Sequence, residues 1–190
     1  MQKRGLTRQL LLQAAIDIVE TEGTENLTVC KLAQKVSVKP ASLYNHIRGI
    51  NDIKNDVVKH AANMLEEAVM SASVGKSKDE ALLDMALNYR KYAHSHPELY
   101  KLLMGTTNLE DANTAKARRS LIRVLNQVLI PYQLSDEKTV HFIRSFRSTL
   151  HGFVSLEATG YFKTDVSPDE SFIKMIEGQI ILLHKRENES

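Results

Sequence analysis

Leu10, Leu11, Ala14, Ala15, Ile18 and Val19 recur at three- and four-residue steps, the spacing that lines one face of a helix. Thr7 stands before this run as an N-cap, and Glu22-Gly23 follows it as a stop. Thr28 caps a second, short run through Val29, Leu32, Ala33 and Val36. After the break Ser37-Val38-Lys39, Pro40 opens a third helix with Leu43 and Ile47 inward. Proline suits that first position, because its missing N–H would be unpaired there anyway. Arg48-Gly49-Ile50 reads as a turn. Asn51 or Asp52 then caps a fourth helix through Ile53, Val57, Ala61, Met64, Leu65 and Ala68.

The same period continues to the C-terminus. It predicts a helix from Lys78 to Ser95, a short one opened by Pro97, a loop over Gly105–Glu110, and a helix over Asp111–Ile130 closed by Pro131. Ser135 caps a long helix ended by Gly160, and Ser167 or Asp169 starts the last one. No internal repeat interrupts the series. The expectation is an all-α chain of about nine helices. A three-helix helix-turn-helix head over residues 1–50 precedes a six-helix regulatory and dimerisation bundle over residues 51–190.

Composition agrees: 43% of the 190 residues are hydrophobic, which suits packed units with a core. Charge is unevenly spread. Residues 1–50 hold seven basic against four acidic residues, a net +3; the other 140 hold 18 against 19, a net −1. A basic head on a neutral body points to a polyanion at one end. Cys30 is the single cysteine, so an intrachain disulfide is excluded, and it reads as a small buried helix residue. The start MQKRGLTRQLLLQAAID lacks a small-residue cleavage site, and no run of about 18 apolar residues follows. A cytoplasmic location is expected.

The second and third helices, about nine and seven residues by this reading, are too short to persist alone. Packing among Leu32, Val36, Val38, Leu43 and Ile47 must hold them, with Ala41 small enough for close approach. That is the helix-turn-helix arrangement, which presents its second helix to the major groove of DNA. The outward residues left over are Lys39, Pro40, Ser42, Tyr44, Asn45, His46 and Arg48, a set rich in donors, and no carboxylate lies between Glu25 and Asp52. Burial of Tyr44, Asn45 and His46 against the head itself would end this reading.

The stretch LTVCKLAQKVSVKPASLYNHI, after an apolar first helix ending in Glu-Gly, resembles the TetR family of transcriptional regulators. That family's motif ends Leu-Tyr-x-His-Phe; here it is Leu43-Tyr44-Asn45-His46-Ile47. The resemblance implies that Tyr44 and His46 contact phosphates, that Lys39, Pro40, Ser42 and Asn45 face the groove, and that Thr28 caps its helix and touches the backbone. Ser37 stands where the family's turn has glycine, and Ile47 where it has phenylalanine. Ile50 replaces a phosphate-binding lysine, leaving that contact to Arg48 or Lys54. NYRKYAHSHPELYKLLMG and LHGFVSLEATGYF, followed by SPDESF, are similar to the subgroup with a WHG-type C-terminal regulatory domain.

The resemblance implies a homodimeric repressor, released from a palindromic double-stranded DNA operator by a small apolar or amphipathic effector. Met64, Met85, Tyr89, Tyr92, Met104, Phe146 and His151 are the candidate ligand residues; each also reads as ordinary core. Phe153, Val154, Phe172, Ile173, Ile176, Ile180 and Leu183 on the last two helices are the candidate dimer surface. The alternative is a helical protein–protein adaptor without DNA binding. Catalysis is not expected: no Glu-x-x-His pair, Gly-rich phosphate loop or Gly-x-Ser-x-Gly occurs. No cofactor or metal is expected either. Glu137 and His141, four apart, read as a surface pair.

Overall fold

The computed structural model describes residues 5–73, 75–76, 78–105 and 112–187. Among them stand nine α-helices and no strand. They are α1 Arg8–Glu22, α2 Val29–Lys35, α3 Pro40–Leu43, α4 Ile50–Ser73, α5 Lys78–Ser95, α6 Pro97–Gly105, α7 Ala112–Leu129, α8 Asp136–Ala158 and α9 Pro168–Glu187. Of the loop expected over Gly105–Glu110, Gly105 is the last residue of α6, and residues 106–110, with Asp111, lie outside the described residues. No helix among those described is long and apolar enough to cross a membrane.

The predicted caps form. The Oγ1 atoms of Thr7 and Thr28 accept from the N–H groups of Leu10 and Lys31, each at 3.2 Å, and Ser135 Oγ accepts from Lys138 at 3.3 Å. Other boundaries differ from expectation. α4 starts at Ile50, so Asp52 lies in its first turn rather than before it. α3 has four residues, not seven; beyond Leu43 the chain tightens, with His46 and Ile47 both donating to the Leu43 carbonyl at 2.8 and 3.0 Å.

The chain divides into two compact units, Met1–Asn63 with His96–Arg118, and Met64–Ser95 with Arg119–Ser190. In the first, α1 packs against α2 and α6, and α2 against α3. Leu11, Ile18, Val19, Leu32, Leu43 and Val57 are fully or almost fully buried there. Each such side chain contributes about 1.5–3 kcal/mol by leaving water. Ala41, expected at the packing seam, is exposed. His96 Nδ1, just before α6, lies 2.6 Å from Glu20 Oε1 on α1.

In the second unit α5 packs against α8 and α9, and α8 against α9. Tyr132, Phe142, Phe146 and Phe172 are wholly buried. Arg90 threads this aromatic layer with its side chain only 11% exposed. Its guanidinium lies 5.0 Å from the Phe172 ring and 5.6 Å from that of Phe153. It donates to both oxygens of Glu157, at 2.9 and 2.5 Å, and pairs with Asp169 at 2.7 Å. The Arg90 bond, opposed by burial and assisted by His94, holds the Glu157 carboxyl below its ordinary range. Asp79, at the start of α5, accepts from the Tyr132 hydroxyl at 2.6 Å and lies 2.9 Å from His184 Nε2. Burial works against its charge, but these two partners outweigh it and lower its pKa.

Candidate nucleic-acid interface

α2 ends in a left-handed residue. Ser37 has φ 56°, Ser37 N–H donates to the Gln34 carbonyl at 3.0 Å, and Val38 N–H reaches back to the Ala33 carbonyl at 3.0 Å. This is the Schellman closure, which normally takes glycine at the left-handed position. The serine therefore holds a glycine-type turn at a cost of about 1 kcal/mol relative to glycine. The turn re-aims the chain so that Lys39 and Pro40 begin α3. Leu43 and Ile47 then point into the core that Leu32 shares.

The opposite side of that segment stays open. Tyr44 is 58% exposed, Lys39, Pro40, Asn45 and Arg48 are exposed, and Ser42 and His46 are half-buried. The residues from α3 to Arg48 thus present hydroxyl, amide, imidazole, ammonium and guanidinium groups on one short stretch. Such groups suit phosphate oxygens and base edges. Thr28 is exposed at the start of α2, where it caps. Lys54 lies one turn into α4 and is half-buried. Cys30 is exposed on α2, contrary to its reading as a buried residue, because that helix turns only Leu32 and Ala33 fully inward.

Behind this stretch lies a cluster that local periodicity does not reveal. Arg8 Nη2 donates to Asp52 Oδ1 at 2.8 Å, Nη1 to Asp52 Oδ2 and to the His46 carbonyl, each at 3.1 Å, and Nε to Asp56 at 2.7 Å. Asp52 also accepts from the Arg48 N–H at 3.0 Å. Its carboxyl is lowered to about 2, first by the Arg8 bond and then by the Arg48 N–H.

The candidate ligand residues separate. Met85, Tyr89 and Tyr92 on α5 and Phe146 on α8 are buried in the second unit, and Met64 is half-buried there. Met104 belongs to the first unit. His151 is exposed, which corrects its reading as a core histidine. A surface cleft of about 530 Å³ in the second unit is lined by α7 and the start of α8, including Arg119, Arg123, Asn126, Ile130 and Thr139. None of the candidate ligand residues lines it. Glu137 and His141 do form a surface pair, at 3.6 Å. Among the described residues no cluster suits a metal ion.

The candidate dimer residues are mostly core. Val154, Phe172, Ile176, Ile180 and Leu183 are buried within the chain itself, and Phe153 and Ile173 are half-buried. The apolar side chains that α8 and α9 leave open include Leu156 at 44%, Ile181 at 57% and Leu182 at 49% exposed. Leu156 sits one turn after Gly152, and Ile181 and Leu182 one turn after Gly178. A Cβ built at either glycine meets nothing within 4 Å.

Residues 82–178 match a family profile described as tetracyclin repressor-like, C-terminal domain. The chain is 31% identical over 175 residues to an uncharacterized HTH-type transcriptional regulator of Mycobacterium tuberculosis, Rv0681, covering 90% of this chain and 78% of that one. It is 29% identical over 162 residues to an uncharacterized HTH-type transcriptional regulator of Bacillus subtilis, YobS, covering 85% and 84%. The fold is similar to that of a protein of unknown function from Rhodococcus sp. RHA1, with a TM-score of 0.81 at 19% identity over 95% and 96% of the two chains.

Proposed function

The chain belongs to the TetR family of transcriptional regulators, and from that premise we propose a homodimeric repressor that a small apolar or amphipathic effector releases from a palindromic operator. The observation that carries DNA reading is the open polar face from Lys39 to Arg48. Tyr44 and Asn45 stand exposed while Leu43 and Ile47 anchor the same segment. Tyr44 and His46 grip phosphates. Lys39, Pro40, Ser42 and Asn45 meet the groove. Thr28, Arg48 and Lys54 extend the backbone contact. The head is residues 1–50, and residues 51–190 regulate and dimerise.

One head reads a few base pairs, and two related by a dyad read half-sites about 34–36 Å apart or a multiple of that. The exposed faces of α8 and α9 support the dimer: Leu156, Ile181 and Leu182 are apolar and open, beside two glycines that allow helices to approach closely. Effector control follows from the path of the chain, which passes between the two units at 63/64, 95/96 and 118/119. A ligand that prefers one arrangement of the heads shifts the population toward it. Moving the balance from 99:1 to 1:99 takes about 5.5 kcal/mol of differential affinity. Met85, Tyr89, Tyr92 and Phe146 line the apolar layer that such a ligand enters.

Selection of bound sequences from a random duplex pool tests the reading. A two-fold symmetric site and affinity that falls steeply with salt are expected. Binding that ignores salt, or recovers no sequence, refutes it and favours the adaptor. On the recovered site, Tyr44→Ala and His46→Ala lower affinity alike across sequences. Lys39→Ala and Asn45→Ala instead change which sequence is preferred. Gly178→Leu should weaken self-association by roughly tenfold or more, about 1.4 kcal/mol, in sedimentation equilibrium. Unchanged association would move the dimer contact off that face.

A further inference from the structure

Arg8 opens α1, separated from α4 by α2 and α3, yet its guanidinium touches both pieces of chain that bracket residues 46–48. It donates to the His46 carbonyl on one side and to Asp52 and Asp56 of α4 on the other. Asp52 then accepts from the Arg48 N–H, closing the loop around the end of the recognition segment.

We propose that Arg8 is a positioning residue for operator reading, fixing the tilt of α3 through the His46 carbonyl and the first turn of α4 without itself needing a nucleotide. The inference rests on the DNA-binding reading above. The physical need is plain. α3 has four residues and cannot hold its own direction. Beyond it the Leu43 carbonyl accepts from the His46 and Ile47 N–H groups, and Arg8 holds the His46 carbonyl past the helix end. Tyr44 and His46, the phosphate-gripping pair, lie within one turn of the clasp, so a small rotation there moves both.

Arg8 also sets the local charge. Asp52 and Asp56 are one turn apart on the segment that follows Arg48, and left alone they would repel phosphate. A planar fork can hold two carboxylates and a carbonyl at once, whereas a lysine ammonium is a single point charge.

The test uses the full chain, the operator recovered by selection, and a scrambled duplex of the same length. Arg8→Lys keeps the charge and loses the fork; operator affinity should fall by about tenfold, the scale of a charged hydrogen bond, while scrambled-duplex affinity moves by less than about threefold. Asp52→Asn is the sharper variant. It removes a negative charge close to the interface, so charge alone predicts tighter binding to both duplexes. Positioning predicts weaker operator binding with no loss on the scrambled duplex. In the free protein, hydrogen exchange at the His46 and Ile47 amides should quicken by about tenfold in both variants while amides of α5 stay unchanged. Both variants keeping the wild-type operator-to-scrambled ratio, or lowering both affinities equally, overturns the proposal alone. A wild-type chain that shows no salt-dependent duplex binding overturns the DNA reading, and this proposal with it.

Discussion

α2 and α8 end in the same backbone motif. Ser37 closes the first at φ 56° and Gly160 closes the second at φ 72°, each followed by an N–H that reaches back over the last turn. The residue differs, and so does the setting. Around Gly160, long helices bury whole aromatic rings and an arginine that is largely withdrawn from water. Around Ser37, helices of seven and four residues rely on three or four aliphatic side chains, a threonine cap and an exposed ionic clasp. Both regions bury apolar area, the body with aromatic rings and the head with smaller aliphatic side chains. The head adds directional contacts around its short helices, because most of its recognition surface must stay open.

Breaking the aromatic layer should have the largest effect. Phe172→Ala removes a wholly buried ring and should cost about 3–5 kcal/mol in denaturant unfolding. Glu157→Gln comes next, at about 2 kcal/mol near neutral pH, because Arg90 then keeps a half-satisfied charge. Its sign with pH is defined. The folded pKa of Glu157 is depressed from 4.5, so its contribution is present above that value and fades as pH falls through the lowered folded value. The variant should therefore show a flatter loss of stability on acidification, read from melting temperature against pH. The two helix ends give the smallest and most pointed pair. Gly160→Ser should destabilise by about 1 kcal/mol, since open space surrounds its Cβ and only backbone strain is added. Ser37→Gly should stabilise by roughly 0.5–1 kcal/mol through relief of the same strain. If both swaps are neutral, the left-handed turns carry no strain and the two regions differ only in core size.

Much of the fold was readable because it is written locally. Thr7, Thr28 and Ser135 sit where apolar periodicity begins, and each makes its capping bond. The limit of that method shows at α3, where Leu43 and Ile47 keep helical spacing although the backbone between them has already tightened. Periodicity records which side faces inward, not how the turn is bonded. On α8 and α9 it identified apolar positions but not their partner: Phe172, Ile176 and Leu183 are satisfied within the chain, and Ile181 and Leu182 are left over. Arg8 was invisible for another reason. Its carboxylates lie 44 and 48 residues away, and no spacing rule links exposed charges across such a gap. The polar set from Lys39 to Arg48 was legible because a missing run of carboxylates is itself a local signal.

Cys30 gives the chain a built-in reporter. It is the only thiol in the sequence and it is exposed on α2, so a nitroxide or fluorophore attached there reports from one known place without any engineered mutation. In a homodimer each molecule carries two such labels, one per head. Their separation, measured by pulsed electron resonance or energy transfer, is then a direct ruler. Read with and without duplex, it turns a question about gene control into a distance in nanometres.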